Sequence, residues 1–181
     1  MTLGCKVNQF DSAALTEKLQ SEGHTLIPFG EDADICIINT CTVTARTDYQ
    51  SRQLIRRAQK QCFGTKIVVT GCYAQLAAAE LAKLSGVAAV IGNVEKEDIP
   101  RLIRKISSDS VMISVTDVRR CDRISRWQVH SFPGRTRAFL RIQDGCDAVC
   151  TYCIVPLARG SSRSLPVEDV LQQSANLADS G

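Results

Sequence analysis

Three short runs set the fold. Ile35 to Ile38, Ile67 to Val69 and Val87 to Ile91 are continuous in apolar, mostly β-branched residues. Strands buried on both faces read this way, whereas a half-exposed strand alternates. Stretches of helical periodicity separate the runs, and that alternation predicts an α/β fold, an open parallel sheet with flanking helices. Ala14, Leu15, Lys18, Leu19 and Glu22 put apolar and charged residues on opposite faces of a first helix, with Asp11 or Ser12 as its N-cap and Gly23 as its stop. Further helices are expected over about Thr44 to Cys62, Ala74 to Leu84 and Lys96 to Ile106. Met1 to Leu3 would form a very short first strand.

Beyond the helical patterns the chain turns polar, basic and turn-forming, and Pro133-Gly134 punctuates it. The expected division is a domain over residues 1–107, a linker over 108–136 with one strand candidate at Val111 to Val115, and a second domain over 137–181. That last part offers a strand at Ala138 to Ile142, a cysteine-rich loop, and a helix from Pro166 with Val167, Val170, Leu171 and Leu177 along one face. One strand and one helix cannot bury a core of their own, so the expectation is the first βα unit of an incomplete domain.

With 44% hydrophobic and 23% charged residues the composition is that of a folded globular protein. No apolar run approaches the ~20 residues that span a bilayer, and the N-terminus lacks a basic segment followed by an apolar one, so a cytoplasmic protein without a membrane partner is expected. Nine cysteines are a heavy load for such a protein. Their odd number argues against a full set of internal disulfides and for thiols that bind metal or react. A net charge of +3 does not by itself indicate nucleic-acid binding. Arg119, Arg120, Arg123, Arg126, Arg135, Arg137, Arg141, Arg159 and Arg163 do crowd the chain after residue 118, which leaves a phosphate-binding surface and an ordinary solvated one equally open.

The strongest local signal is Gly-Cys-Asp-Ala-Val-Cys-Thr-Tyr-Cys, where Cys146, Cys150 and Cys153 form C-x3-C-x2-C. Three thiolates on one tight loop reach three corners of a cubane iron–sulfur cluster and leave the fourth iron open to a cofactor. Structural zinc would need a fourth ligand and prefers paired C-x2-C or Cys/His sets. The only histidines, His24 and His130, are remote in sequence, so iron–sulfur is the preferred reading over zinc or coincidence. Cys5, Cys41 and Cys72 are scattered but equivalently placed. They follow Thr-Leu-Gly, Ile-Ile-Asn-Thr and Val-Val-Thr-Gly, each at the carboxyl end of an expected parallel strand. Such ends face a common crevice, where three thiolates would hold a second cluster. The competing reading makes each a small buried hydrophobe. Cys36, Cys62 and Cys121 fit no such pattern and are assigned to packing or incidental exposure.

The loop, with Tyr152 before its last cysteine, resembles that of radical-SAM enzymes. "RIQDGCDAVCTYCIVPLARGSSRS", "TLGCKVNQFDS", "INTCTVT" and "VTGCYAQ" together resemble the radical-SAM methylthiotransferases across essentially the whole chain. The K-V-N-Q and N-T-C-T-V-T forms are most similar to the branch that acts on N6-threonylcarbamoyladenosine beside the tRNA anticodon. The resemblance implies a methylthiotransferase N-terminal domain followed by the start of a truncated radical-SAM barrel. It implies two 4Fe–4S clusters, one on Cys146, Cys150 and Cys153 that cleaves S-adenosyl-L-methionine to a 5′-deoxyadenosyl radical, and an auxiliary one on Cys5, Cys41 and Cys72 that carries sulfur to C2 of the adenine. It places Tyr152 near the adenine of S-adenosyl-L-methionine, where packing behind the loop is the alternative. It also implies an electron donor such as flavodoxin or ferredoxin, and an inactive protein if the 181 residues stand alone. Arg52, Arg56, Arg57 and the later arginines are candidates to meet tRNA phosphates. Arg159 and Arg163 match family positions with RNA, cofactor or carboxylate as partner, and Asn8, Gln9 and Asn39 are expected to hydrogen-bond the loops around the cysteines. Two alternatives stand beside this reading: a sister branch acting on isopentenyladenosine in tRNA or on a ribosomal-protein aspartate, and a non-catalytic Fe–S or zinc module.

Overall fold

The computed structural model describes residues 1–61, 64–107, 109–132 and 137–180; Cys62, Arg135 and the Pro133-Gly134 step lie outside the described residues. Four parallel strands lie side by side in sequence order, β1 (Ile35–Thr40), β2 (Lys66–Gly71), β3 (Val87–Ile91) and β4 (Met112–Ser114). The three continuous apolar runs thus supply the strands of the sheet interior. Residues 1–3 extend the outer edge of β1, through a parallel bridge between Thr2 and Asn39. The Val111–Val115 candidate becomes β4, paired with β3, so the stretch read as linker gives the sheet its edge strand.

Both faces are covered. On one, Ile38, Ile67, Val69, Val87 and Val90 pack with residues of α2 (Ala45–Gln61), α3 (Cys72–Leu76) and α4 (Ala78–Leu81). On the other, Val68, Ala89 and Ile91 pack with Leu15 of α1 (Lys6–Ser21) and with Ile99 and Ile103 of α5 (Ile99–Ile103). Val68 facing away from Ile67 and Val69 is the period of two that a strand imposes, and both of its faces are apolar because both are buried.

Several expected boundaries move. α1 begins at Lys6 with Cys5 as its N-cap, so neither Asp11 nor Ser12 caps it. Both sit inside the helix, and Asp11 is held there by buried cations. Gly23 does mark the stop, its N–H donating to the carbonyl of Gln20. At the head of α2 the backbone N–H of Thr44 donates to the Thr47 hydroxyl and that of Thr47 to the Thr44 hydroxyl, a reciprocal cap. The single helix expected over Ala74 to Leu84 breaks at Ala77, whose backbone leaves the helical region. Gln75 before the break is tied to Thr116 and Asn93, while Leu81 beyond it is buried in the core. The helix expected from Lys96 opens as a 3-10 turn over Glu95–Asp98 before α5.

The second part departs further. Ala138 to Ile142 is not a strand; a two-residue β5 (Gln143–Asp144) pairs antiparallel with β6 (Arg163–Ser164). The carbonyl of Ile142 accepts from the Leu165 N–H, so the chain closes on itself around the cysteine loop instead of joining the parallel sheet. Between β5 and β6 lies α6 (Val155–Arg159), and α7 (Val167–Asp179) follows Pro166. On α7 the expected apolar face leaves Val167 and Leu171 exposed. No helix among the described residues is long and apolar enough to cross a membrane.

Candidate metal centres

Thr40 pairs with Gly71 at the last rung shared by β1 and β2. Neighbouring strands lie about 4.8 Å apart, so Cys41 and Cys72, the next residues, leave the sheet side by side. Cys5 follows residues 1–3 on the other side of β1. The three expected ligands therefore stand at three adjacent parallel strand ends, Cys41 and Cys72 buried and Cys5 exposed. Two of them follow glycines in the left-handed region, Gly4 and Gly71, each with φ +97°. A Cβ on Gly4 would stand 2.4 Å from Cys41 Cβ and 2.5 Å from its sulfur, and one on Gly71 would stand 2.3 Å from the Thr40 carbonyl oxygen. Only glycine lets these backbones approach so closely. Of the residues expected to hydrogen-bond around the cysteines, Asn8 and Asn39 do so, whereas the buried Oε1 of Gln9 has no partner among the described residues. Asn8, fully buried, donates to the carbonyls of Leu3 (2.9 Å) and Thr40 (2.8 Å), and Asn39 donates to the Asn8 carbonyl at 2.9 Å.

Cys146, Cys150 and Cys153 occupy the loop between β5 and α6. The Cys146 N–H donates to the Gly160 carbonyl, the Cys153 N–H to that of Cys150, and the Ala148 N–H reaches Cys146 sulfur at 3.5 Å. Val149 adopts φ 31°, a strained value for a β-branched residue at the tightest point of the loop. Tyr152 is 89% exposed, so its ring does not pack behind the loop. Among the described residues no three Cys, His, Asp or Glu side chains are gathered closely enough to hold a metal ion. What fits a cluster is the donor set and its placement: soft thiolates only, three on one loop and three at neighbouring strand ends. Cys36 packs in the core as expected, and Cys121 donates to the Arg123 carbonyl.

A buried knot of charges, which sequence analysis did not assemble, lies between the two trios. Asp11, 2% exposed, accepts from Lys96 Nζ at 2.8 Å, Arg141 Nη1 at 3.0 Å and Arg159 Nη2 at 3.1 Å. Burial would raise its pKa, but Lys96, Arg159 and Arg141 outweigh burial and hold the carboxyl well below the usual carboxylate range. Burial likewise disfavours the charge on Arg159, and Asp11, Cys72 and Asp144 more than restore it. Arg159 Nη1 donates to Asp144 at 2.9 Å and Nη2 to Asn8 at 2.7 Å. Arg141 and Arg159 are therefore spent on carboxylates inside the protein and cannot meet phosphate. Arg163 faces Asp144 and donates to the carbonyls of Arg159 and Arg123. Arg52 donates to Tyr73 at 2.5 Å. Arg56, Arg57, Arg120, Arg123, Arg126 and Arg137 remain at the surface. One signal for the knot was available: Asp11 stands three and four residues before Ala14 and Leu15, on the apolar stripe of α1, where a carboxylate needs a buried partner. The knot opens on a cleft of about 880 Å³ that Trp127 and Arg163 also line.

Over its whole length the chain is similar to curated methylthiotransferases. It is 40% identical over 181 residues to the threonylcarbamoyladenosine tRNA methylthiotransferase MtaB of Bacillus subtilis, covering 99% of this chain and 40% of that protein. It is 36% identical over 181 residues to its namesake from Aquifex aeolicus, covering 99% and 44%. It is 33% identical over 180 residues to the tRNA-2-methylthio-N(6)-dimethylallyladenosine synthase of Fervidobacterium nodosum, covering 99% and 41%. The chain thus spans about two fifths of the length of these relatives. The family described as "Uncharacterized protein family UPF0004" matches residues 1–92, half of the 181-residue chain and the whole of the edge that carries Cys5, Cys41 and Cys72, and the chain belongs to that family, the methylthiotransferase N-terminal domain.

Proposed function

We propose that this chain is the cluster-bearing part of a tRNA-modifying radical-SAM methylthiotransferase that places a methylthio group on C2 of N6-threonylcarbamoyladenosine. The observation that carries the reading is the placement of Cys5, Cys41 and Cys72 at adjacent strand ends, with the C-x3-C-x2-C loop tied to that edge through Arg159. Clusters held there supply the electron and the sulfur for replacing an aromatic C–H bond, chemistry no side chain offers. Cys146, Cys150 and Cys153 would hold the cluster that binds and reduces S-adenosyl-L-methionine, and exposed Tyr152 would be placed to meet its adenine. Cys5, Cys41 and Cys72 hold the auxiliary cluster. Arg56, Arg57, Arg120, Arg123, Arg126 and Arg137 are exposed cations placed to meet tRNA phosphates, at the expense of the surface partners that Arg57, Arg123 and Arg126 hold in Gln61, Asp122 and Asp169. An anticodon-loop base is unstacked more easily than one in a duplex, which suits an open crevice. An electron donor such as flavodoxin or ferredoxin completes the set of partners, and the reaction belongs to the cytoplasm, where tRNA is modified.

The choice of base rests on the K-V-N-Q and N-T-C-T-V-T forms and on the higher identity to the two threonylcarbamoyladenosine enzymes than to the dimethylallyladenosine one. Mass spectrometry of tRNA nucleosides from cells with and without the full-length gene tests it. The 2-methylthio form of N6-threonylcarbamoyladenosine is expected to disappear while its unmodified precursor accumulates. An unchanged level of that nucleoside with loss of the isopentenyl counterpart would move the assignment to the sister branch.

A further inference from the structure

The two cysteine trios are joined by a continuous polar path. Asn8 holds the carbonyls of Leu3 and Thr40, each one or two residues before Cys5 and Cys41. Its own oxygen accepts from Arg159, whose other nitrogen reaches Asp144. Asp144 in turn accepts from the Gly145 N–H, next to Cys146. A second path starts at Asn93, just past β3. Its Nδ2 lies 3.8 Å from Cys72 sulfur and donates at 2.8 Å to the carbonyl of Ala158 in α6. α6 also meets α3 here, but of its apolar side chains Ala158 alone is fully buried while Leu157 is 54% exposed.

We propose that Arg159 and Asn93 are positioning residues that clamp the Cys146–Cys153 loop to the Cys5, Cys41 and Cys72 edge and so fix the separation of the two trios. The inference rests on the function proposed above for its purpose, though not for its geometry. A planar guanidinium engaged on both sides fixes register as an apolar patch cannot. Buried charges rarely outdo apolar packing as a source of stability, so their use at this junction points to geometry. Geometry matters in a transfer between two centres, because a misplacement of about 1 Å costs roughly a hundredfold in rate.

The test uses the full-length protein. In the cluster-free form, hydrogen exchange at residues 145–153 is expected to quicken about tenfold or more in Asn93→Ala, Arg159→Lys and Arg159→Ala, with residues 66–71 still protected. Arg159→Lys keeps the charge but cannot span Asn8 and Asp144, so it fails with the alanine variant. In the anaerobically reconstituted protein the same variants are expected to keep about eight irons while the magnetic coupling between the two clusters, read by electron paramagnetic resonance, changes. Unchanged exchange and unchanged coupling in Asn93→Ala and Arg159→Lys would overturn the proposal. Should Arg159→Ala lose protection across the whole sheet, Asn93→Ala decides, because it leaves every charge around Asp11 in place. A wild-type protein that binds no second cluster would sink the proposed function, and the exchange result would still judge the clamp.

Discussion

Replacing Asp11 by Asn removes one negative charge and almost no volume from a site that contains Lys96, Arg141 and Arg159. The side chains of these four residues are between 2% and 6% exposed. Asparagine can still accept a hydrogen bond, but the cations lose their shared counter-ion and only Arg159 retains another, Asp144. Breaking a buried ion pair from one side costs about 3–5 kcal/mol, most of it from the charge left behind. With a urea m-value of about 2 kcal/mol/M for a domain of this size, that loss moves the unfolding midpoint down by roughly 1.5–2.5 M. Trp127, the single tryptophan, packs against both the α1–α5 core and the Phe10 cluster and reports the transition by fluorescence. The pH dependence carries the same signature. Because the folded pKa of Asp11 lies below its unfolded value of 3.8, its contribution is fully present above the unfolded value and is lost as pH falls toward the folded one. Wild-type protein should therefore shed more stability than Asp11→Asn on acidification below about pH 5, and the two should converge. A midpoint shift under about 0.3 M at neutral pH, against the 1.5 M expected, would refute the view that Asp11 neutralises this knot.

Gly4→Ala should displace Cys41, since the added methyl would stand 2.4 Å from Cys41 Cβ in a left-handed backbone position; iron in the reconstituted protein is expected to fall from about eight to about four per chain, and full retention would show that the edge tolerates the change. Cys150→Ala should produce the same halving from the other loop, with sulfide analysis as the check. Arg56→Ala and Arg123→Ala, both on exposed residues, should weaken tRNA binding and each lower the salt-dependence slope by about 1. Filter binding at increasing salt measures this, and an unchanged slope in both would remove these arginines from the interface.

The sheet was legible because burial on both faces leaves continuous apolar runs, and short β-branched ones such as Val87 to Ile91, separated by helical patterns, read as strands between two layers of helices. The trio at its edge was legible for a related reason, since Cys41 and Cys72 follow those runs and parallel order places their ends together. Ala138 to Ile142 is apolar apart from Arg141, yet it is no strand. The carbonyl of Ile142 finds its partner in the returning segment at Leu165, and whether a β-prone segment becomes a strand is decided by the neighbour it pairs with. Asp11 was misplaced by the same logic in reverse. An aspartate ahead of an apolar periodic stretch reads as a cap, and what overrules that reading lies 85, 130 and 148 residues away along the chain, at Lys96, Arg141 and Arg159.

Those separations bear on what the knot is for. Lys96 belongs to the turn before α5, Arg141 and Arg159 to the segments that bracket the cysteine loop, and Asp11 and Asn8 to the helix that Cys5 caps. Ordering three distant segments around one carboxylate costs conformational entropy that local contacts do not. A chain needing only stability would meet that cost with apolar surface, as it does between β2 and its helices. At the junction of the two trios it uses side chains whose hydrogen bonds have direction and fixed reach. The sheet edge carries three cysteines and the loop carries three; where α6 meets α3, the directional bonds of the groups around Asp11 and Asn93 make the position of one depend on the other.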